Sequence, residues 1–146
     1  MGSETQSVTQ DQEPAEGKDE LEFIHAQAKD GRTVVVARSQ VLWVKAHRDY
    51  LWLHTKTGES YSKRKTLKNL EHHWAKHGFV RIHKSYLVFL PCVQEPRLGG
   101  WGWVVTVGFG AGAAELPVGR KRVPHLKRLL QERAAESTQE RRNPND

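Results

Sequence analysis

From Leu21 to about position 60, apolar residues recur in short, loosely alternating runs, and turn-forming residues separate the runs. Leu21, Phe23, Ile24, Ala26 and Ala28 form a loosely alternating run. The turn KDGR then leads into TVVVAR, which predicts a two-stranded hairpin. After Ser39, VLWVKA (41–46) and YLWLHT (50–55) read as two strands joined by the short basic connection HRD. KTG (56–58) supplies the glycine of a tight turn, and ESYSK continues as a polar strand. Helical spacing first appears in TLKNLEHHWAKHG. There Leu67, Leu70 and Trp74 fall at i, i+3 and i+7, Thr66 can cap the start, and Gly78 can end the helix.

The next stretch, FVRIHKSYLVFL (79–90), is among the most apolar in the chain, yet it packs Arg81, His83 and Lys84 into its first half. Val80 and Ile82 alternate with Arg81 and His83 as a half-buried strand does, and Tyr86 to Leu90 resume the core. This places Lys84 at a surface turn and the other two basic residues on the outward face of a strand. Val93 to Arg97 and Trp101 to Phe109 read as strands around the turn RLGG, and AELPV as another short strand. In GRKRVPHLKRLL, residues Val123, Leu126, Leu129 and Leu130 share one helical face, with Pro124 tolerable in the first turn. Beyond Leu130 the chain has little to bury and is expected to fray. The pattern predicts a mainly β fold with two short helices, and no repeat of 20 to 50 residues is visible.

With 146 residues the chain suits one domain with a proper core plus tails. Charge marks the boundaries. Residues 1–20 hold six acidic groups and one basic group, a net −5, and read as a disordered acidic tail. Residues 21–130 hold 19 Lys and Arg against seven acids, a net +12, and residues 131–146 form a polar C-terminal tail. A domain at +12 surrounds itself with positive potential, for which nucleic acid is the commonest partner. The longest apolar run, Tyr86 to Cys92, is far shorter than the roughly 20 residues a membrane-spanning helix requires. The amino terminus has no basic start or apolar core of a secretory signal, so the expected location is the cytoplasm, with no membrane contact.

Candidate chemistry is sparse. Cys92 is the only cysteine and reads as a small residue in a buried strand, with no disulfide or thiolate zinc cluster available. His73 and His77 stand four apart, but no HExxH pattern or third ligand accompanies them, so no metal is expected. GFGAGA (108–113) resembles a phosphate-binding loop only superficially, because a strand rather than a helix follows it. No nucleophile–base pattern appears in a domain with so few acids, so neither an enzyme nor a cofactor is expected. The basic residues instead cluster in four places: HRD (47–49), KRK (63–65), RIHK (81–84) and GRKR (119–122). Most of these lie at element boundaries. That favours loops aimed by a rigid β scaffold over a single recognition helix.

Three ordered blocks sharpen this reading. VLWVKAHRDYLWLHTKTGESYSKRKTLKNLEHH, FVRIHKSYLVFL and LPVGRKRVPHLKRLL resemble the LytTR DNA-binding domain of bacterial transcription regulators, over about residues 21–130. The resemblance implies an elongated arrangement of small antiparallel β-sheets with one or two short helices, binding DNA through loops between strands. Carried over by motif, it implies DNA contacts from His47, Arg48 and Asp49 in the first loop, Lys84 in the second, and Arg120 with Lys121 in the third. Arg48 or Arg120 suits a bidentate contact to guanine, and Lys84 suits a phosphate. The chain departs from the family pattern where Lys45, Arg48 and Asp49 replace acidic, glycine and asparagine positions. Gly119 stands where serine is usual, and Phe89 where asparagine is usual.

The expected function is a sequence-specific, double-stranded DNA-binding transcription regulator without its own receiver domain, acting as two copies on repeated half-sites. A signalling partner protein would then supply its input. Two alternatives stay open. One is a sequence-tolerant DNA or RNA binder in which Trp101 and Trp103 stack on bases. The other is a protein-interaction antagonist of a related regulator.

Overall fold

The computed structural model describes residues 21–108 and 113–142, with the side chains of 135–142 excepted. The acidic segment 1–20 and most of the GFGAGA connection lie outside the described residues.

The chain opens with the expected hairpin, β1 (Phe23–Gln27) and β2 (Thr33–Ala37). Its turn is closed by Asp30, whose carboxylate accepts from the Arg32 backbone N–H at 3.0 Å and from Arg32 Nε at 2.7 Å. β3 (Val41–His47), β4 (Tyr50–Thr55) and β5 (Ser60–Arg64) follow as a meander. In β4 the alternation is strict, with Leu51, Leu53 and Thr55 buried and their neighbours more exposed.

α1 (Leu67–Trp74) begins where Thr66 Oγ1 accepts from the Asn69 backbone N–H at 3.1 Å. Its three apolar residues, Leu67, Leu70 and Trp74, are all buried. A short 3₁₀ turn (Ala75–His77) continues it, and Gly78 then ends the helical path at φ 90°, a left-handed conformation that a side chain would disfavour. His73 therefore sits on α1 and His77 on the 3₁₀ turn. Among the described residues, no three His, Cys, Asp or Glu side chains form a group that could hold a metal ion.

β6 (Phe79–His83) and β7 (Tyr86–Phe89) complete a seven-stranded antiparallel sheet in the order β2-β1-β5-β4-β3-β7-β6. The first hairpin joins this sheet through a single residue pair, Gln27 with Ser62. β8 (Arg97–Gly99), β9 (Gly102–Val107) and β10 (Ala114–Pro117) form a separate three-stranded sheet. The fold is thus mainly β with two helices.

Two hydrophobic clusters account for the apolar density of residues 79–90. Leu87 belongs to a cluster with Leu51, Leu53, Leu70 and Trp74, whereas Val88 belongs to one with Val105, Val107, Leu116 and Leu126. Consecutive strand residues leave opposite faces, so this part of the sheet is covered on both sides. α1 packs on one side, and the small sheet and the closing helix α2 (Val123–Arg142) pack on the other. A strand buried on both faces has no need of a polar alternate position.

Three local readings change. Residues 94–96 form no strand. Val93 makes an isolated bridge to Val107, Pro96 offers no N–H to a ladder, and the hairpin turn falls two residues later than expected, at Gly100 and Trp101. Cys92 lies half-buried in a 3₁₀ turn (Leu90–Cys92) rather than in a strand. α2 spans Val123–Arg142, well past Leu130, because QERAAESTQERR contains neither glycine nor proline to stop it.

Candidate nucleic-acid interface

The sheet register brings three of the four basic clusters to one end of the large sheet. β3 ends at His47, which pairs with Tyr50 across a two-residue turn of Arg48 and Asp49. Tyr50 in turn pairs with Arg64, so the last residue of β5 lies at the same end. β7 runs antiparallel to β3 with Tyr86 opposite Lys45, which sets the β6–β7 turn, residues Lys84 and Ser85, beside the first turn. A backbone bond from Ala46 N–H to Ser85 O, 2.8 Å, ties the two together.

The fourth cluster joins through the small sheet. After β10 the chain donates Val118 N–H to Trp103 O at 2.9 Å, and then Gly119 N–H to Ile82 O at 2.7 Å. The second bond anchors the 3₁₀ turn Arg120–Arg122 to the end of β6. His47, Arg48, Asp49, Lys84, Arg120 and Lys121 are all exposed, on three turns that share one end of the molecule.

Between the first two turns and the start of α1 lies an open cleft of about 620 Å³. Arg48, Arg64, Lys65, Lys68, Arg81 and Lys84 line it, with Asp49 as its only acidic residue. Asp49 is 3.9 Å from Arg64, an exposed pair. The motif-based assignment missed Arg64, Lys65 and Lys68. The KRK cluster was the available signal for Arg64 and Lys65, but which of its members reach the cleft depends on where β5 ends and on its register, and Lys68 enters from the first turn of α1.

Arg81 and His83 depart from the outward-facing reading. Arg81 is only 17% exposed, and its guanidinium folds back over the β6–β7 turn. Nε donates to His83 O at 2.9 Å, Nη2 donates to Lys84 O at 2.8 Å, and Nη1 meets Glu71 Oε1 of α1 at 2.7 Å. One planar fork thus fastens the turn that carries Lys84 to a helix. His83 is half-buried, and its Nδ1 accepts the Ser85 backbone N–H at 3.0 Å, which requires an unprotonated nitrogen. Burial, then the charges of Lys84, Arg122 and Arg81, push this imidazole below its usual pKa range.

The Arg48 backbone has φ 58°, the only non-glycine positive φ among the described residues. The resembled family places glycine at this position, and the geometry shows why: a two-residue hairpin turn demands a left-handed residue there. Of the two tryptophans considered for base stacking, Trp103 is half-buried against the second cluster, with Lys127 Nζ 4.7 Å from its ring centroid. Trp101 is fully exposed.

Comparison with known proteins agrees with this architecture. The chain is 33% identical over 98 residues to the CO-responsive transcriptional regulator RcoM of Rhodospirillum rubrum. The match covers 67% of the chain but only 41% of that regulator. The fold superposes on a LytTr DNA-binding domain from Bacillus cereus with a TM-score of 0.62 and 16% identity, covering 75% of this chain and 96% of the other. A family model for the LytTr DNA-binding domain matches residues 31–131, more than half of the sequence, and the chain belongs to that family.

Proposed function

We propose that the protein is a transcription regulator that binds specific double-stranded DNA sequences through the three turns at the basic end of its sheet. The observation that carries this reading is the convergence of three basic clusters, distant in sequence, onto one cleft with a single carboxylate, and the fourth cluster's anchorage at the end of β6 beside it. Lys84, on a turn held at both backbone carbonyls, suits a phosphate that sets register. Arg120, on the 3₁₀ turn, suits the edge of a guanine. Arg48 projects from the hairpin tip toward the same surface. Asp49 acts beside it by restraining Arg64 or by accepting from a cytosine amino group. His47 and Lys121 complete the contact set, and two copies occupy repeated half-sites.

Selection from a random duplex library, followed by titration at several salt concentrations, tests the reading. Lys84→Ala is expected to weaken binding to all duplexes and to lower the salt slope by about one unit. Arg120→Ala is expected to reduce the ratio of specific to nonspecific affinity by roughly 1–3 kcal/mol. Equal behaviour of wild type and both variants on the selected site would reject the assignment. A preference for single strands with no enriched motif would instead favour sequence-tolerant binding.

Arg48 gives a test in which stability and binding move in opposite directions. A left-handed L-residue is strained by about 1 kcal/mol, so Arg48→Gly is expected to raise the unfolding free energy by up to that amount. The same change removes a cation from the face and weakens duplex binding. Urea denaturation and the duplex titration measure the two effects. A variant that is both less stable and equally tight would overturn the role given to this turn.

A further inference from the structure

We propose that the tip of the β8–β9 hairpin is an additional duplex contact, in which Trp101 packs as an apolar wedge into the minor groove beside the Arg120–Arg122 turn. The inference rests on the DNA-binding reading above and adds to it a contact made by an uncharged side chain.

The pairing of Gly99 with Gly102 leaves Gly100 and Trp101 as the two turn residues. Gly102 has φ 136°, so the tip has a backbone path that glycine alone adopts easily. A turn framed by three glycines gains nothing locally from an indole. Trp101 nevertheless stands there, exposed over its whole surface, while Trp103 two residues on is covered by Lys127. Leu98, on β8 of the same hairpin, is 69% exposed as well, so the indole belongs to an apolar tip rather than standing alone.

Register fixes where that surface faces. β10 runs antiparallel to β9 with Pro117 opposite Val104, and the ladder is extended by Val118 N–H to Trp103 O. Beyond this bond, one chain continues to Arg120 and the other leads back to Trp101, each about two strand residues, or roughly 7 Å, further on. The indole and the Arg120–Arg122 turn therefore leave the small sheet at the same end, and the bond from Gly119 to Ile82 sets that end against the Lys84 turn. The cationic Arg120–Arg122 turn and an uncharged, flat ring thus lie at one end of the small sheet. That combination suits a duplex: the cations hold the phosphates, and the apolar surface is pressed between sugars and base edges, where it unstacks or widens a step.

The test uses the full chain and a duplex selected by the wild type, with Trp101→Ala and Trp101→Phe compared by titration and hydroxyl-radical footprinting. Trp101 makes no core contact, so both variants fold, which circular dichroism verifies. Trp101→Ala is expected to bind about tenfold more weakly, as loss of one well-packed apolar contact implies. Its salt slope should be unchanged, because no charge is removed, and its footprint should lose the minor-groove protection next to the third turn. Trp101→Phe should keep most of the affinity. Wild-type binding with no change in affinity or footprint in Trp101→Ala would overturn this contact while leaving the DNA-binding reading intact. Failure of the wild type to bind any duplex would overturn both. Loss of binding to anionic vesicles by Trp101→Ala, with duplex binding intact, would reassign the tip to a lipid surface.

Discussion

Arg81→Ala is expected to destabilise the domain by about 2–3 kcal/mol, the range for losing hydrogen bonds to a partly buried charged group. It is expected to weaken duplex binding about tenfold as well, although Arg81 itself need not touch DNA. Three acceptors lose their donor at once: the carbonyls of His83 and Lys84 and the Glu71 carboxylate. The two carbonyls belong to the turn that presents Lys84, so the loss frees that turn as well as weakening the fold. Arg81→Lys should recover only part of either effect, because an ammonium cannot reach three acceptors in the geometry of a planar fork. Glu71→Gln should be milder, since the amide oxygen still accepts while both turn carbonyls remain bound. Urea denaturation and duplex titration, performed below the unfolding transition, separate the effects. A stability loss under about 0.5 kcal/mol with unchanged affinity would contradict the role assigned to this side chain.

Trp74→Ala should have the largest effect on stability, about 3–5 kcal/mol, the usual range for truncating a buried large aromatic. Trp74 is 1% exposed, stacks obliquely on Phe79 with ring centroids 4.6 Å apart, and donates Nε1–H to Leu21 O at 2.9 Å. It joins α1, the end of the large sheet and the segment preceding β1. A domain of this size holds only about 5–15 kcal/mol in total, so the variant should lose a large fraction of its stability, read as a lowered urea midpoint. Trp74→Phe would restore ring packing but leave the Leu21 carbonyl without its donor, and should fall between the two. A shift of less than about 1 kcal/mol in Trp74→Ala would show that the first cluster is not centred on this residue.

The elements most legible in the sequence were those whose signals are local. Thr66, the Leu67–Leu70–Trp74 spacing and Gly78 define α1 because cap, buried stripe and left-handed stop all lie within 13 residues. The HRD connection was legible for the same reason, since a basic break between two apolar strands leaves little choice of fold. What could not be read depended on register or on distant partners. Trp101 was assigned to a strand because RLGGWG offers glycines at several turn positions, and only pairing with β9 selects Gly100 and Trp101. Arg81 looked like an outward strand residue, and nothing local announces that Glu71, ten residues earlier, would draw it inward. The length of α2 was missed because burial, not helix propensity, guided the estimate of where it ends.

The two backbone bonds that link the turns, Ala46 to Ser85 and Gly119 to Ile82, carry a thermodynamic consequence. On the reading proposed above, the three DNA-facing turns form one rigid unit before any duplex arrives, and docking requires no loop to order. The entropy of arranging them is spent in folding rather than in association. The heat-capacity change on binding should accordingly reflect surface burial alone, without the larger signal of coupled folding. Base-pair changes read by neighbouring turns should also combine non-additively, because a strained fit at one turn is passed through a single hydrogen bond to the next.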